Sequence, residues 1–196
     1  MAIQVASYLR KEVEKTLVTL QAILSDESFS LEVERVAGAW VNCLGGGGKI
    51  LFAGNGGSAA DAQHLAAELV SRFHYDRPAL AGMALTVDTS SLTAIGNDYG
   101  YERVFARQIS GLGRPGDVFV GISTSGRSPN ILAALREARS LGLVTVGFAG
   151  QPGRDMPALC DYCIQIPSPE TPKIQEGHIV IGHILCGLVE QHFFPR

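Results

Sequence analysis

Apolar residues recur at steps of three and four along the first 24 positions, at Leu9, Val13, Leu17, Leu20 and Leu24, with Arg10, Lys11, Glu12 and Glu14 between them. That spacing predicts an amphipathic helix. A second helix is predicted after Ser30, with Val33, Val36, Trp40 and Leu44 on one face, and the run Gly45-Gly46-Gly47-Gly48 stops it. From residue 49 short β-rich runs alternate with helical stretches. The runs are Lys49 to Ala53, Ala84 to Val87, Val118 to Ile122, Val144 to Phe148 and Cys163 to Ile166; the helices fall at roughly 58–73, 98–112, 128–141 and 173–193. This alternation predicts an α/β fold, a five-stranded, mostly parallel sheet flanked by helices on both faces. No repeat or low-complexity linker divides the chain, so residues 1–196 are read as a single domain on which the helical segment 1–45 packs.

Composition narrows the class. A net charge of −3, a charged fraction of 18% and the absence of any Lys/Arg block exclude a general nucleic-acid surface, so any anion site must be local. Neither a secretory signal nor an uninterrupted run of ~18 apolar residues is present, and a soluble, cytoplasmic protein is expected. The abundance of apolar helical positions predicts association of subunits. Cys160 and Cys163 have CxxC spacing, but no second pair completes a zinc ribbon and they lead into a strand instead of a helix. They read as small buried side chains.

Two loops carry candidate chemistry. The first, Gly54-Asn55-Gly56-Gly57-Ser58, joins a strand to a helix, where glycines and unpaired first-turn amides suit an anion. It also fits G-x-G-x-x-A, but the acidic residue of the dinucleotide fingerprint belongs about 20 positions on, and the next strand ends at Asp88, too far along. The second, Ser123-Thr124-Ser125-Gly126-Arg127-Ser128, lies between another strand and helix, with Ser128-Pro129 as N-cap and first-turn proline. Two hydroxyl-bearing strand-to-helix loops in one small domain point to a sugar phosphate. Beyond the first loop, His64 and Glu68 stand i, i+4 on one helix face, and Gln175, Ile179 and His183 follow the same row on the last helix. His178 lies roughly 140° around that helix from His183 and is read as structural. Two imidazoles, a carboxylate and an amide oxygen would suit tetrahedral Zn²⁺ if the helices meet, with other divalent ions open. His74 and His192 have no partners in sequence, and Arg72, Arg77 and Arg127 are read as solvated.

The segment GNGGSAADAQHLAAEL, the STSG-x-S loop, Ala94-Ile95-Gly96-Asn97-Asp98 and Ile174-Gln175-Glu176-x-His178-x-x-x-x-His183 together resemble the sugar isomerase (SIS) domain family, across nearly the whole chain. The resemblance implies a five-stranded SIS-type, flavodoxin-like three-layer sandwich assembled as a homotetramer. It implies substrate contacts at Asn55, Gly56, Gly57, Glu68, Asn97, Asp98, Ser123, Thr124, Ser125, Ser128 and Gln175. It also implies one zinc per subunit held by His64, Glu68, Gln175 and His183, with Glu68 and His183 as the catalytic pair. The implied reaction is the aldose–ketose isomerisation of sedoheptulose 7-phosphate to D-glycero-D-manno-heptose 7-phosphate, opening the route to nucleotide-activated heptose for lipopolysaccharide or capsule. Family members that bind a replication initiator without catalysis form the alternative, and they lack the acid–base pair present here. Arg127 departs from the Asn common in the family's loop, and Pro172-Lys173 from the commoner Ala-Arg.

Overall fold

The computed structural model describes residues 5–196; residues 1–4 of the first predicted helix lie outside the described residues. Two helices, α1 (Val5–Leu24) and α2 (Glu27–Gly45), precede five strands: β1 (Ile50–Gly54), β2 (Gly82–Ala84), β3 (Val118–Ile122), β4 (Val144–Gly150) and β5 (Tyr162–Ile166). Between and after them run α3 (Gly57–Val70), α4 (Thr89–Tyr99), α5 (Val104–Leu112), α6 (Pro129–Ser140) and α7 (Thr171–Phe193). All strand pairs are parallel, in the order β2-β1-β3-β4-β5.

Both faces of the sheet are covered, which is why β1 and β3 read as unbroken apolar runs and are buried at every position. Alternate residues feed two cores. Phe52, Val120, Ile122 and Phe148 pack with Trp40 of α2, Leu65 and Leu69 of α3 and Ile181 and Leu185 of α7. Leu51, Ala53 and Phe119 pack with Phe105 and Ile109 of α5 and Ile131 and Leu135 of α6. Trp40 meets Phe52 edge-on at a centroid distance of 5.5 Å, tying α2 beneath β1. At the outer edge of β5, Glu32 of α2 accepts the Cys163 amide at 2.9 Å.

The sequence expectations hold for the fold class and for β1, β3, β4 and β5 to within two residues, and fail in three places. α2 begins before Ser30, because Asp26 caps it by accepting from the Ser28 and Phe29 amides. The second strand forms at Gly82–Ala84 instead of Ala84 to Val87, and Val87 is exposed. A Cβ on Gly82 would crowd Leu69, so a residue of low strand preference is what lets this strand lie against α3. The expected helix 98–112 is split, with α4 ending at Tyr99, Gly100 at φ +84° and α5 starting at Val104. α1 also differs in what it covers. It joins α7 through Thr16, which donates to Glu176 at 2.6 Å and accepts from Lys173 at 3.0 Å, yet Leu9, Val13, Leu17 and Leu24 of its apolar stripe stay exposed.

Candidate active site

Strand order reverses between β1 and β3, so the loops that follow them flank the crevice at the carboxyl edge of the sheet. Gly54 of β1 registers with Ile122 of β3, setting the two loops side by side. In the first loop Gly56 takes φ +56°, a backbone that favours glycine, and caps α3 with no side-chain bond; the Ser58 and Ala59 amides turn back onto the Asn55 and Gly56 carbonyls at 3.1 and 3.0 Å, which leaves the Gly57 amide to face a ligand. A Cβ on Gly57 would overlap the Gln175 amide, so this loop touches the start of α7. Asn55 hydrogen-bonds to Asn130 and to Tyr101.

The second loop is folded on its own hydroxyls. Ser123 is buried, and its Oγ lies 2.8 Å from Ser128 Oγ and 3.5 Å from Ser125 Oγ. Ser128 stands at the N-cap of α6, but its side chain faces Ser123 and makes no cap bond; Pro129 has no N–H and the Ile131 amide is taken by Asn130 Oδ1, so the Asn130 backbone amide is the first-turn donor left to an anion. Gly126 turns the loop at φ +64° against the Gly153 carbonyl, and the Thr124 carbonyl is held by the Gly150 amide at 3.0 Å. Arg127 is exposed.

The two helices carrying His64, Glu68 and His183 do meet. Gly182 lies where any side chain would strike Leu65, and this close approach brings the neighbouring residues of α3 and α7 together. His64 Nε2 lies 2.9 Å from His183 Nε2 and 3.0 Å from Glu68 Oε1, and the three donor atoms sit within 4.8 Å of one another. Phe73 packs on the His183 ring at 5.5 Å. A cavity of about 580 Å³ adjoins the cluster, lined by Phe73, His74, Tyr75 and His183 among others. Two imidazole nitrogens and a carboxylate oxygen converging on one small gap fit a divalent ion of the zinc type. Asp61, one turn before His64, adds an acidic group that sequence reading passed over. Burial raises its carboxyl, opposed by His64, and its Oδ2 is buried with no hydrogen-bond partner among the described residues.

The remaining expected residues are placed less tightly. Gln175 is partly buried beside Gly57, while Asn97 and Asp98 are exposed near the end of α4, where the Asn97 amide donates to Asp98 at 2.8 Å. His178 is a core residue, 1% exposed, bonded to the Ala149 carbonyl at 3.1 Å, and burial lowers its pKa to about 4. Arg77 corrects the reading of a solvated loop: its side chain is 2% exposed and paired with Glu190 of α7 at 3.0 Å. It donates to the Glu68 and Leu69 carbonyls at 2.7 and 2.6 Å, closing the C-terminal end of α3. Glu190 in turn accepts the Phe73 and His74 amides at 2.9 and 2.7 Å.

A parallel five-stranded sheet with two glycine- and hydroxyl-rich loops at its switch point is a doubly wound α/β architecture, and the chain belongs to the SIS domain family, whose model matches residues 14–150. Within that family it belongs with the phosphoheptose isomerases. It is 56% identical over 190 residues to the phosphoheptose isomerase of Burkholderia pseudomallei (strain 1710b), covering 97% of this chain and 96% of the relative. To that of Aneurinibacillus thermoaerophilus it is 54% identical, covering 95% and 94% of the two chains. The solved structure of a phosphoheptose isomerase from Francisella tularensis superposes with a TM-score of 0.92 at 33% identity, covering 96% of this chain and 100% of that one.

Proposed function

We propose that this chain is an aldose–ketose isomerase that interconverts sedoheptulose 7-phosphate and D-glycero-D-manno-heptose 7-phosphate, the first step toward nucleotide-activated heptose for lipopolysaccharide or capsule. The observation that carries it is the convergence of His64, Glu68 and His183 from α3 and α7, two helices whose starts meet at Gly57 and Gln175 beside the first of the two glycine- and hydroxyl-rich loops. Moving the carbonyl requires a proton to leave carbon 1 of the ketose and one to arrive at carbon 2, through an enediol or enediolate, while the two oxygens exchange a proton. Glu68, on α3, takes the proton at carbon, and His183, on α7, transfers a proton on the opposite side of the bound sugar. Ser123, Thr124, Ser125, Ser128 and the Asn130 backbone amide at the start of α6 hold the phosphate without a fixed cation, and Asn55, Gly56, Gly57, Asn97, Asp98 and Gln175 line the sugar. His64, Glu68 and His183, with the Gln175 amide oxygen, would hold one Zn²⁺, which supplies polarisation of the carbonyl and stabilisation of developing oxyanion charge.

The exposed apolar residues of α1, with Val180, Ile184 and Leu188 of α7, support a homotetramer. Residues 1–196 would then act as one SIS domain, with 1–45 packed on it. Among the described residues no helix is long and apolar enough to cross a membrane, which supports a cytoplasmic enzyme. Incubating purified protein with sedoheptulose 7-phosphate, after chelation and after zinc is restored, tests the reading. Aldose should appear only when metal is present, and no product under either condition overturns it.

A further inference from the structure

The crevice at the switch point is spanned by a pair of side-chain amides. Asn55 Nδ2 donates to Asn130 Oδ1 at 2.9 Å, and Asn130 Nδ2 donates back to Asn55 Oδ1 at 2.8 Å. Asn130, the second residue of α6, is 1% exposed. Its Oδ1 also accepts the Ile131 amide at 3.0 Å. An N–H can only donate, so that bond fixes which end of the Asn130 amide is oxygen, and the reciprocal pair then fixes Asn55. The Tyr101 hydroxyl, from the turn between α4 and α5, donates to the same Asn55 Oδ1 at 3.1 Å. Both lone pairs of Asn55 Oδ1 are therefore filled, and one N–H of Asn55 remains for a sugar oxygen.

Holding the fold together does not call for this arrangement. β1 and β3 are already zipped along their whole length, and two apolar side chains would join the loops without the desolvation cost of buried amides. Tyr101 is 63% exposed, so its hydroxyl bond adds direction and little burial. We propose that Asn130, completed by Tyr101, is a positioning residue for the substrate: it acts through Asn55, fixing how that amide is presented to the sugar and locking the β1 loop to the helix start that receives the phosphate. The inference rests on the reading of Asn55 as a sugar contact.

Steady-state kinetics with sedoheptulose 7-phosphate on the zinc-loaded full chain test it, using Asn55→Ala, Asn130→Ala, Tyr101→Phe and the Asn55→Ala/Asn130→Ala double variant, each with a melting curve. Asn130→Ala should raise KM about tenfold with a smaller fall in kcat, the scale of one lost neutral hydrogen bond. Tyr101→Phe should raise KM by roughly threefold at an unchanged melting temperature. The double variant should be no worse than Asn55→Ala, because Asn130 has nothing left to orient. If Asn55→Ala raises KM and neither Asn130→Ala nor Tyr101→Phe does, or if the losses simply multiply, the positioning role is overturned. If Asn55→Ala itself leaves KM unchanged, the sugar-contact reading fails instead. Should Asn130→Ala not fold, Asn130→Asp and Tyr101→Phe decide, since the first keeps the acceptor to Asn55 and Ile131 and loses the returned donor.

Discussion

Glu190→Gln is an isosteric change at a residue that touches no candidate ligand, and the structure fixes what it should cost. Glu190 Oε1 accepts from the Phe73 amide and Arg77 Nε, and Oε2 accepts from the His74 amide. Glutamine keeps one acceptor and sets an NH₂ against a donor at the other, so one amide or an amide and the guanidinium lose their partner. The Arg77 charge, 2% exposed at its side chain, is then left without a counter-charge. Removing one member of a buried pair costs about 3–5 kcal/mol. In a chain of this length each kcal/mol moves Tm by ~2–4 °C, so unfolding followed by calorimetry should shift down by roughly 6–20 °C. Burial alone would raise the Glu190 pKa, but the His74 and Phe73 amides and Arg77 outweigh it and hold it below its ordinary 4.5. The carboxylate's contribution is therefore complete above pH 4.5 and fades as acid protonates the folded state, so wild type and variant should converge in strong acid. The same pair anchors the end of α3 to α7, and zinc affinity measured by chelator competition should fall about tenfold, the scale of a lost outer-shell support. A Tm within 2 °C of wild type, a shift of less than ~1 kcal/mol on this scale, would show that Arg77 is satisfied by carbonyls alone and refute the clamp.

Three further outcomes follow from the geometry. Glu68→Gln should lose ~10²- to 10⁴-fold in turnover while still binding substrate, and near-normal activity in initial-rate assays would remove Glu68 from the proton transfer. His178, buried neutral with its pKa lowered to about 4, protonates first in the unfolded chain, so stability should drop by roughly 3 kcal/mol between pH 6.5 and 4. His178→Asn should flatten that acid slope in denaturant titrations relative to wild type, and an unchanged slope would assign it to other groups. Gly126→Ala places a methyl at φ +64° against the Gly153 carbonyl, so phosphate-bearing substrate should show a raised KM of at least tenfold, with the β-sheet circular-dichroism signal preserved.

Much of this was legible because the informative patterns are local. The apolar runs of β1 and β3 mark strands buried on both faces, and the i, i+4 spacing of His64 with Glu68 and Gln175 with Ile179 and His183 marks helix faces. What spacing does not carry is which faces meet. The approach of α3 to α7 depends on Gly182 receiving Leu65, a contact between residues more than a hundred positions apart. α4 was missed because it buries no residue and so writes no apolar stripe, although the Asp88 carboxylate capping the Ser91 amide is a start signal in the sequence. Arg77 and Asn130 escaped for a shared reason: a buried, fully partnered polar group and a solvated one look alike in sequence.

The treatment of the sheet's two edges bears on how copies of the chain can combine. At one edge β2 offers only Gly82–Ala84, and at the other the Cys163 amide is already occupied by Glu32. Short or blunted edges are poor templates for a sixth strand. Growth by strand addition, which has no natural end point, is thereby disfavoured. The proposed association would then fall to the exposed apolar sides of α1 and α7, and pairing of like faces, unlike strand addition, would close at a fixed number of copies.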